Sequence, residues 1–497
     1  MNYVGISCGF HDAGLSVIDD SGNILFAGHS ERYSKKKHDG ELCLGIINDA
    51  HSYINDEFEV HYYERPYVKA IRQFFAKQPL GPFSVTEIIG NYNLFALGSM
   101  KNPRRGSVKT HNHHLCHTAA GFQTSPYQDA TVVVIDAIGE LDTISIWDAK
   151  YDKQGKATYK KIWGRKYPDS IGLFYSAMTA KVGLRPLDEE YILMGMAAYG
   201  ESLYNADMKR LFSDFGDIKL KENLHIGVDK TFLPEADEMD IAASAQQVVE
   251  QLIEIVIKKA KKLGKSDNLV YGGGVALNCL ANRLIGQYYE NIWIMPNPGD
   301  AGNSLGAACL GYGKKVKWTD AFLGHDIKGD CPIDSIIKEL HANKIVGVAN
   351  GRAEFGPRAL GNRSLLADPR GPDIKDKVNE IKRRQKFRPF APVILEEHTS
   401  DYFDMPDGFS DSRYMQCIAT CRNPDLFPAI VHADGTSRVQ TVPNDGSGIR
   451  RLLERWYAET ECPMLLNTSL NIRGEPMVND RKDADRFENL YHVKVCS

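Results

Sequence analysis

The sequence predicts an α/β fold of two or three domains, and three observations carry that reading. At 497 residues the chain is longer than one hydrophobic core can organise. Apolar strand runs alternate with glycine-bearing loops and small-residue helices, as in YVGISC, TVVVID, NLVYGGG and IWIMPNPGD. A strand–loop–strand unit also occurs twice, from residue 3 and again from residue 131.

Composition narrows the class. With 43% hydrophobic and 25% charged residues, the chain reads as an ordinary globular protein. Its start, MNYVGISCGF, has no basic region ahead of an apolar core, and nowhere do eighteen apolar residues run together. No signal peptide, spanning helix or membrane partner is expected, and the cytoplasm is the default location. Ten cysteines without a CxxC pair read as reduced, mostly buried thiols. The net charge of −4 gives no global pull toward polyanions, yet cations gather at Lys101–Lys109, Lys258–Lys265 and Lys375–Arg388. The middle run, at helical spacing among apolar residues, reads as the solvated face of a helix.

The first strand unit is YVGISC, the loop GFHDAG, and LSVIDDSGNILFAG with a tight turn at Asp19–Gly22. Small loop residues leave backbone N–H groups free to face a phosphate, although an ordinary hairpin has the same pattern. The second unit, TVVVIDAIGELDTISIWD, repeats it with an acidic, glycine-bearing turn around Asp136, Gly139 and Glu140. Two such hairpins across a cleft are the phosphate-binding arrangement of actin, Hsp70 and sugar-kinase ATPases, so ATP is the expected cofactor. Gly272, Gly273 and Gly274, followed by Asn278, end a later strand and would let a flat nucleoside lie close to the backbone.

Metal chemistry is written into HNHHLCH, which puts four of the fifteen histidines into seven residues ahead of an alanine-rich stretch. On a helix His113 and His117, four apart, share one face and read as ligands of a divalent ion. A plain imidazole cluster at a helix start is the alternative. Asp300, in a glycine-flanked loop after a strand, is a third ligand or else a helix cap. Toward the carboxyl end, Arg352, Arg358, Arg363 and Arg370 with Lys386 and Arg388 form a cation set suited to phosphate oxygens, whereas Lys375–Arg384 reads as a solvated helix.

Across nearly the whole chain, GFHDAG, ERYSKKKHD, HHLCHTAAGF, MGMAAYG, GGGVALN, PNPGDAGNSLGA, EFGPRALGNRSLLADPR, KFRPFAPV and NTSLNIRGEP resemble the NodU/CmcH family of O-carbamoyltransferases. The resemblance implies a Kae1-like, actin-type ATPase domain at residues 1–325 and an α+β YrdC-like domain at residues 340–497. It further implies that the smaller domain makes carbamoyl-adenylate from ATP and carbamoyl phosphate, and that the larger passes the carbamoyl group to a hydroxyl. Iron would be the ion held by His113, His117 and Asp300. His11 would take the acceptor's proton, with Asp12 orienting it or only fixing the turn, and His114 would touch substrate or support the metal shell. Lys386 and Arg388 with Ser469 and Asn471 look like the KxR and SxN signatures of YrdC-like sites.

Two departures stand out. Ile192 replaces a lysine common among relatives, and Ala137 replaces a glycine in DGxGE. Two acceptor classes remain open: a natural-product sugar or polyketide, or the hydroxymethyl group of a modified pyrimidine in a nucleotide or phage DNA. The second class would make the protein phage-encoded and active in the host cytoplasm, with Lys101, Arg104, Arg105 and Lys109 tracking the phosphate backbone. A threonylcarbamoyl-adenosine-type transfer-RNA factor and a non-catalytic ATP-binding scaffold are the rival readings. A homodimer is a weaker expectation of the resemblance.

Overall fold

The computed structural model describes residues 1–55, 57–84, 88 and 108–497. Lys101, Arg104 and Arg105 lie outside the described residues. The chain forms two compact units, one of residues 1–27 and 40–319 and one of residues 28–39 and 320–497.

Two five-stranded sheets build the first unit. The first has the order β3-β2-β1-β4-β5, from β1 (Asn2–Ser7), β2 (Gly14–Asp19), β3 (Ile24–His29), β4 (Phe58–Tyr62) and β5 (Lys109–Thr110). β1 runs antiparallel to β2 and parallel to β4, and β4 runs parallel to β5. The second sheet contains β6 (Asp129–Gly139), β7 (Asp142–Tyr151), β8 (Ala157–Lys166), β11 (Asn268–Gly272) and β12 (Asn291–Trp293); a separate hairpin, β9 (Phe212–Asp214) and β10 (Lys219–Leu220), intervenes in sequence. Its order, β12-β11-β6-β7-β8, repeats the first: an antiparallel meander on one side of the leading strand and two parallel strands on the other. This duplicated order accords with the strand–loop–strand unit that occurs twice in the sequence.

Both sheets are covered by helices, so the leading strands read as continuous apolar runs: Ala130–Asp136 of β6 is buried throughout. Helices His113–Thr124 and Asn303–Tyr312 pack against each other, and the second lies on β1. Helix Glu238–Leu263 is capped by Asp237, begins with Glu238 and Asp240 and ends with Lys261 and Lys262, matching the helix dipole at both ends.

A mixed six-stranded sheet organises the second unit, in the order β21-β17-β22-β16-β14-β23. It uses β14 (Ile345–Ala349), β16 (Arg363–Ala367), β17 (Ala391–Leu395), β21 (Gln440–Val442), β22 (Met464–Ser469) and β23 (Val495–Cys496). Two small sheets flank it: β13 (Phe322–Ile327) with β15 (Gly351–Glu354), and β18 (Phe403–Asp404), β19 (Ala419–Cys421) and β20 (Thr436–Ser437). Helices Ile333–Asn343 and Gly448–Thr460 bury Leu340, Leu452 and Trp456 in one core cluster. Helices Ile374–Lys382 and Arg481–Tyr491 bury Val378 and Phe487 in another. All ten cysteines are free thiols, eight of them buried. Among the described residues no helix is long and apolar enough to cross a membrane.

One part-buried histidine pair is expected to make the fold sensitive to acid. His61 Nδ1 and His111 Nε2 lie 2.9 Å apart in stacked rings. Burial, with Lys109 beside them, depresses both imidazoles to about 4. The unfolded chain takes up protons there near pH 6.5 while the folded chain resists them until about pH 4, so stability falls as pH drops across that window, by roughly 3 kcal/mol per imidazole for a shift of this size. Thermal unfolding followed from pH 7 to 4.5 is expected to show a steeper loss for the wild type than for His111→Asn.

Candidate functional site

Four side chains from three separate stretches converge in the first unit. Asn112 caps helix His113–Thr124, accepting from Leu115 N at 2.9 Å, and one turn of that helix aligns His113 and His117. Their Nε2 atoms are 3.1 Å apart. Asp136 comes from the end of β6, and Asp300 from the short turn Asp300–Gly302 ahead of helix Asn303–Tyr312. Asp136 Oδ2 lies 3.1 Å from His113 Nε2 and 3.3 Å from His117 Nε2, while Asp300 Oδ1 lies 3.3 and 3.4 Å from the same two atoms. All four donor atoms fall within 4.8 Å of one another.

These spacings suit a metal ion. Ligand bonds of about 2.0–2.1 Å in a tetrahedral site set neighbouring donors about 3.3–3.4 Å apart. Two imidazoles with two carboxylates are a donor set for ferrous iron or zinc. The imidazoles and carboxylates also answer one another. Burial alone would lower His113 and His117, but Asp300 and Asp136 override it and hold both imidazoles above their usual range. The same contacts hold Asp136 and Asp300 well below the usual carboxylate range, against the burial that would raise them. Asp136 is the member that sequence reading left in a phosphate turn; its position at a strand's carboxyl end, like that of Asp300, was the available signal.

His11 stands at the rim, half-buried. Its Nδ1 is 2.9 Å from Asp12 Oδ2 and its Nε2 is 3.6 Å from Asp300 Oδ2. Burial lowers the imidazole, and Asp12 and Asp300 more than restore it, so it sits above its ordinary value. Asp12 both orients His11 and makes the turn, at φ 52°. Of the two roles expected of His114, its burial favours support of the metal shell over contact with substrate. It is fully buried, with Nδ1 2.7 Å from Ser145 Oγ, and burial and His113 push it well below the normal histidine range. Its Nε2 is buried without a hydrogen-bond partner among the described residues.

Several residues expected on the nucleotide are occupied by the chain itself. Gly139 is a glycine because a Cβ there would come within 2.5 Å of both His113 Cδ2 and His114 Cδ2. Glu140 is buried and forks onto Arg65 Nε and Nη2 at 3.1 and 2.6 Å, with Asn112 Nδ2 at 3.2 Å. Gly273, at φ 88°, would strike Ile135 O at 2.2 Å if it carried a Cβ. Asn278 exchanges hydrogen bonds of 3.0 Å with Gln246 and caps the following helix at Ala281 N. Gly272 has looser surroundings, and Gly274 lies beside Asp136, a Cβ there falling 3.2 Å from Asp136 Oδ1.

In the second unit three of the expected phosphate arginines are structural. Arg363 is fully buried and gives its N–H groups to the carbonyls of Asn479, Asn350, Gly351, Asn362 and His325 at 2.8–3.1 Å. Arg352 donates to Leu323 O and Gly324 O. Arg370 forks onto Asp368 at 2.8 and 3.0 Å and lies over the Trp456 ring. Arg358 is half-buried in the loop that follows β15.

Ser469 and Asn471 do lie together, Oγ to Oδ1 at 2.6 Å, but the lysine that meets them is Lys382. Its Nζ donates to Ser469 O, to Ser469 Oγ at 3.1 Å and to Asn471 Oδ1 at 2.6 Å. Lys386 is exposed, and Arg388 is half-buried. The helix taken as solvated thus holds a functional candidate, with Arg384 two residues on. Spacing gave a signal: Ile374, Val378 and Lys382 recur every four residues along the buried face. Burial, then Arg384, Arg388 and Lys37, pushes the Lys382 ammonium well below the usual lysine range. No carboxylate is among these influences, so the place suits an anion.

The chain thus combines a two-sheet α/β unit bearing a two-histidine, two-aspartate cluster with a mixed-sheet unit bearing a buried lysine at Ser469 and Asn471. The chain belongs to the carbamoyltransferase family: the model described as the carbamoyltransferase N-terminus matches residues 44–309, and that described as the carbamoyltransferase C-terminus matches residues 337–495. Nodulation protein U of Sinorhizobium fredii is 33% identical over 97% of this chain and 96% of its own. An uncharacterized protein of Synechocystis is 31% identical over 97% and 93%. Among solved structures, the activator of 2-hydroxyisocaproyl-CoA dehydratase from Clostridium difficile with bound ADPNP shows a slight likeness: 15% identity, TM-score 0.35, 63% of this chain and 94% of that one. The protein is a carbamoyltransferase.

Proposed function

We propose that the protein is an ATP-dependent O-carbamoyltransferase whose YrdC-like second unit makes carbamoyl-adenylate and whose Kae1-like first unit transfers the carbamoyl group to a hydroxyl. The observation that carries this reading is the convergence of His113, His117, Asp136 and Asp300 beside His11 in a chain whose two halves both match carbamoyltransferase models.

In the first half-reaction, water releases phosphate from carbamoyl phosphate, the carbamate oxygen attacks the α-phosphorus of ATP, and pyrophosphate leaves. Lys382, held by Ser469 and Asn471, supplies a fixed cation to the phosphate oxygens, and Arg384, Arg388 and Lys37 deepen the positive field. In the second half-reaction the acceptor oxygen attacks the carbamoyl carbon and AMP leaves. His11 takes the acceptor's proton, with Asp12 fixing the ring through Nδ1. His113, His117, Asp136 and Asp300 would hold a divalent cation, ferrous iron by family resemblance, which when bound would supply Lewis-acid chemistry to the leaving phosphate. The acceptor is a sugar or polyketide hydroxyl, or the hydroxymethyl group of a modified pyrimidine.

Incubation with ATP, carbamoyl phosphate and a ferrous salt is expected to yield carbamoyl-adenylate and pyrophosphate by mass spectrometry. ATP bound but unconsumed would instead mark the chain as a scaffold.

A further inference from the structure

Charge is distributed very unevenly over the first unit. Residues 150–166 contain seven Lys and Arg, residues 258–265 five, and residues 314–317 three, with Asp152 as the one acidic residue among them, in a chain of net charge −4. Far apart in sequence, the Lys150–Ala157 part of the first segment, Lys265 of the second and Lys314–Lys315 of the third meet in space, while β8 carries Lys160, Lys161, Arg165 and Lys166 on toward Asp142. Lys156 bridges to Lys314, Ala157 N donates to Gly313 O at 2.8 Å, and Lys265 N donates to Asp148 Oδ1 at 3.3 Å. All three contribute to one cavity of about 660 Å³, lined by Lys150, Lys153, Lys265 and Lys315 together with Asp129 and Asp152. Asp152 is committed to its own turn, accepting from Gln154 N and Lys156 N at 2.9 Å.

Five of the fifteen cations are in ion pairs: Lys161 with Asp142, Arg165 and Lys259 with Asp217, Lys258 with Glu254, and Lys261 with Asp267. The other ten, all lysines, meet no carboxylate within ion-pair distance among the described residues. Such a concentration of like charge costs self-repulsion, which a polyanion relieves. Within these segments Leu263 is the only large apolar side chain that is strongly exposed, at 42%, and Trp163 lies beneath Arg165 and Lys259. A membrane surface would call for apolar side chains to insert. Lysines without exposed aromatics suit contact with a phosphate backbone rather than reading of bases.

We propose that this lysine surface, centred on the cavity at the Asp129 end of β6, binds nucleic acid through its phosphate backbone. It lies at the far end of β6 from the metal cluster: seven residues separate Asp129 from Asp136, about 23 Å of strand. The surface is therefore distinct from the transfer site, and the proposal does not rest on which hydroxyl accepts the carbamoyl group.

The test uses the full-length protein with a fluorescent 30-base-pair DNA duplex, a single-stranded RNA of 30 nucleotides and phosphatidylserine vesicles. Wild type is expected to bind at least one nucleic acid with a dissociation constant of about 1–100 μM, weakening steeply with salt at a log–log slope of about −0.7 to −0.9 per phosphate contact. The triple variant Lys153→Glu, Lys265→Glu, Lys315→Glu is expected to bind at least about 100-fold more weakly and to flatten that slope by about 3. It should keep its pyrophosphate release, which reports an intact fold. Should Lys315→Glu disturb folding, the pair Lys150→Glu and Lys153→Glu, both lining the cavity, gives the same reading. Equal binding by variants and wild type, binding indifferent to salt, or capture by vesicles but by neither nucleic acid would overturn the proposal.

Discussion

Replacement of Asp300 by asparagine is expected to lower carbamoyl transfer by at least about a thousandfold, or about 4 kcal/mol of transition-state stabilisation, while carbamoyl-adenylate and pyrophosphate still form near the wild-type rate. Asparagine keeps the size of the side chain and removes its charge. His113 and His117 then face one carboxylate instead of two, and His11 Nε2 loses the anion 3.6 Å away. The proposed adenylation chemistry belongs to residues of the second unit, so the two half-reactions should separate. Pyrophosphate release and product formation, measured on the same sample, check this; equal loss of both would argue against a division of labour.

The second large effect falls on Lys382. Lys382→Met is expected to reduce pyrophosphate release by about a hundredfold or more, because a fixed cation is lost where phosphate charge must be held. Stability should not suffer. Methionine fills the aliphatic path, and a buried ammonium without a carboxylate partner is costly to keep. Lys386→Met, on an exposed side chain, is expected to change the rate by less than about fivefold. The reverse order of effects would restore Lys386 as the working lysine.

What the sequence reveals and hides here follows from how local each signal is. His113 and His117 are legible because a helix turns a spacing of four into one face. The duplicated sheets are legible because β1–β2 and β6–β7 are hairpins, formed between neighbours in sequence. Asp136 stood in view but was assigned to phosphate, since the pattern of a strand end does not say what faces it across a cleft. The surroundings of Arg363 and Arg370 are hidden for a related reason. A guanidinium declares its charge, but its partners, five backbone carbonyls in one case and Asp368 with the Trp456 face in the other, are set by tertiary structure. Lys382 was missed because a run of cations looks solvated unless its four-residue spacing with Ile374 and Val378 is weighed first. Inclusion of residues 28–39 in the second unit has no local signature at all.

Asp136 separates this account from the simpler phosphate-turn reading, and metal stoichiometry tests it directly. Anaerobic titration of the purified protein with ferrous ion should show one tightly bound ion per chain in the wild type and at least about a hundredfold weaker binding in Asp136→Asn, with ATP absent throughout. Equal affinity in the two proteins, or no ion held by the wild type, would contradict a single cation shared by His113, His117, Asp136 and Asp300.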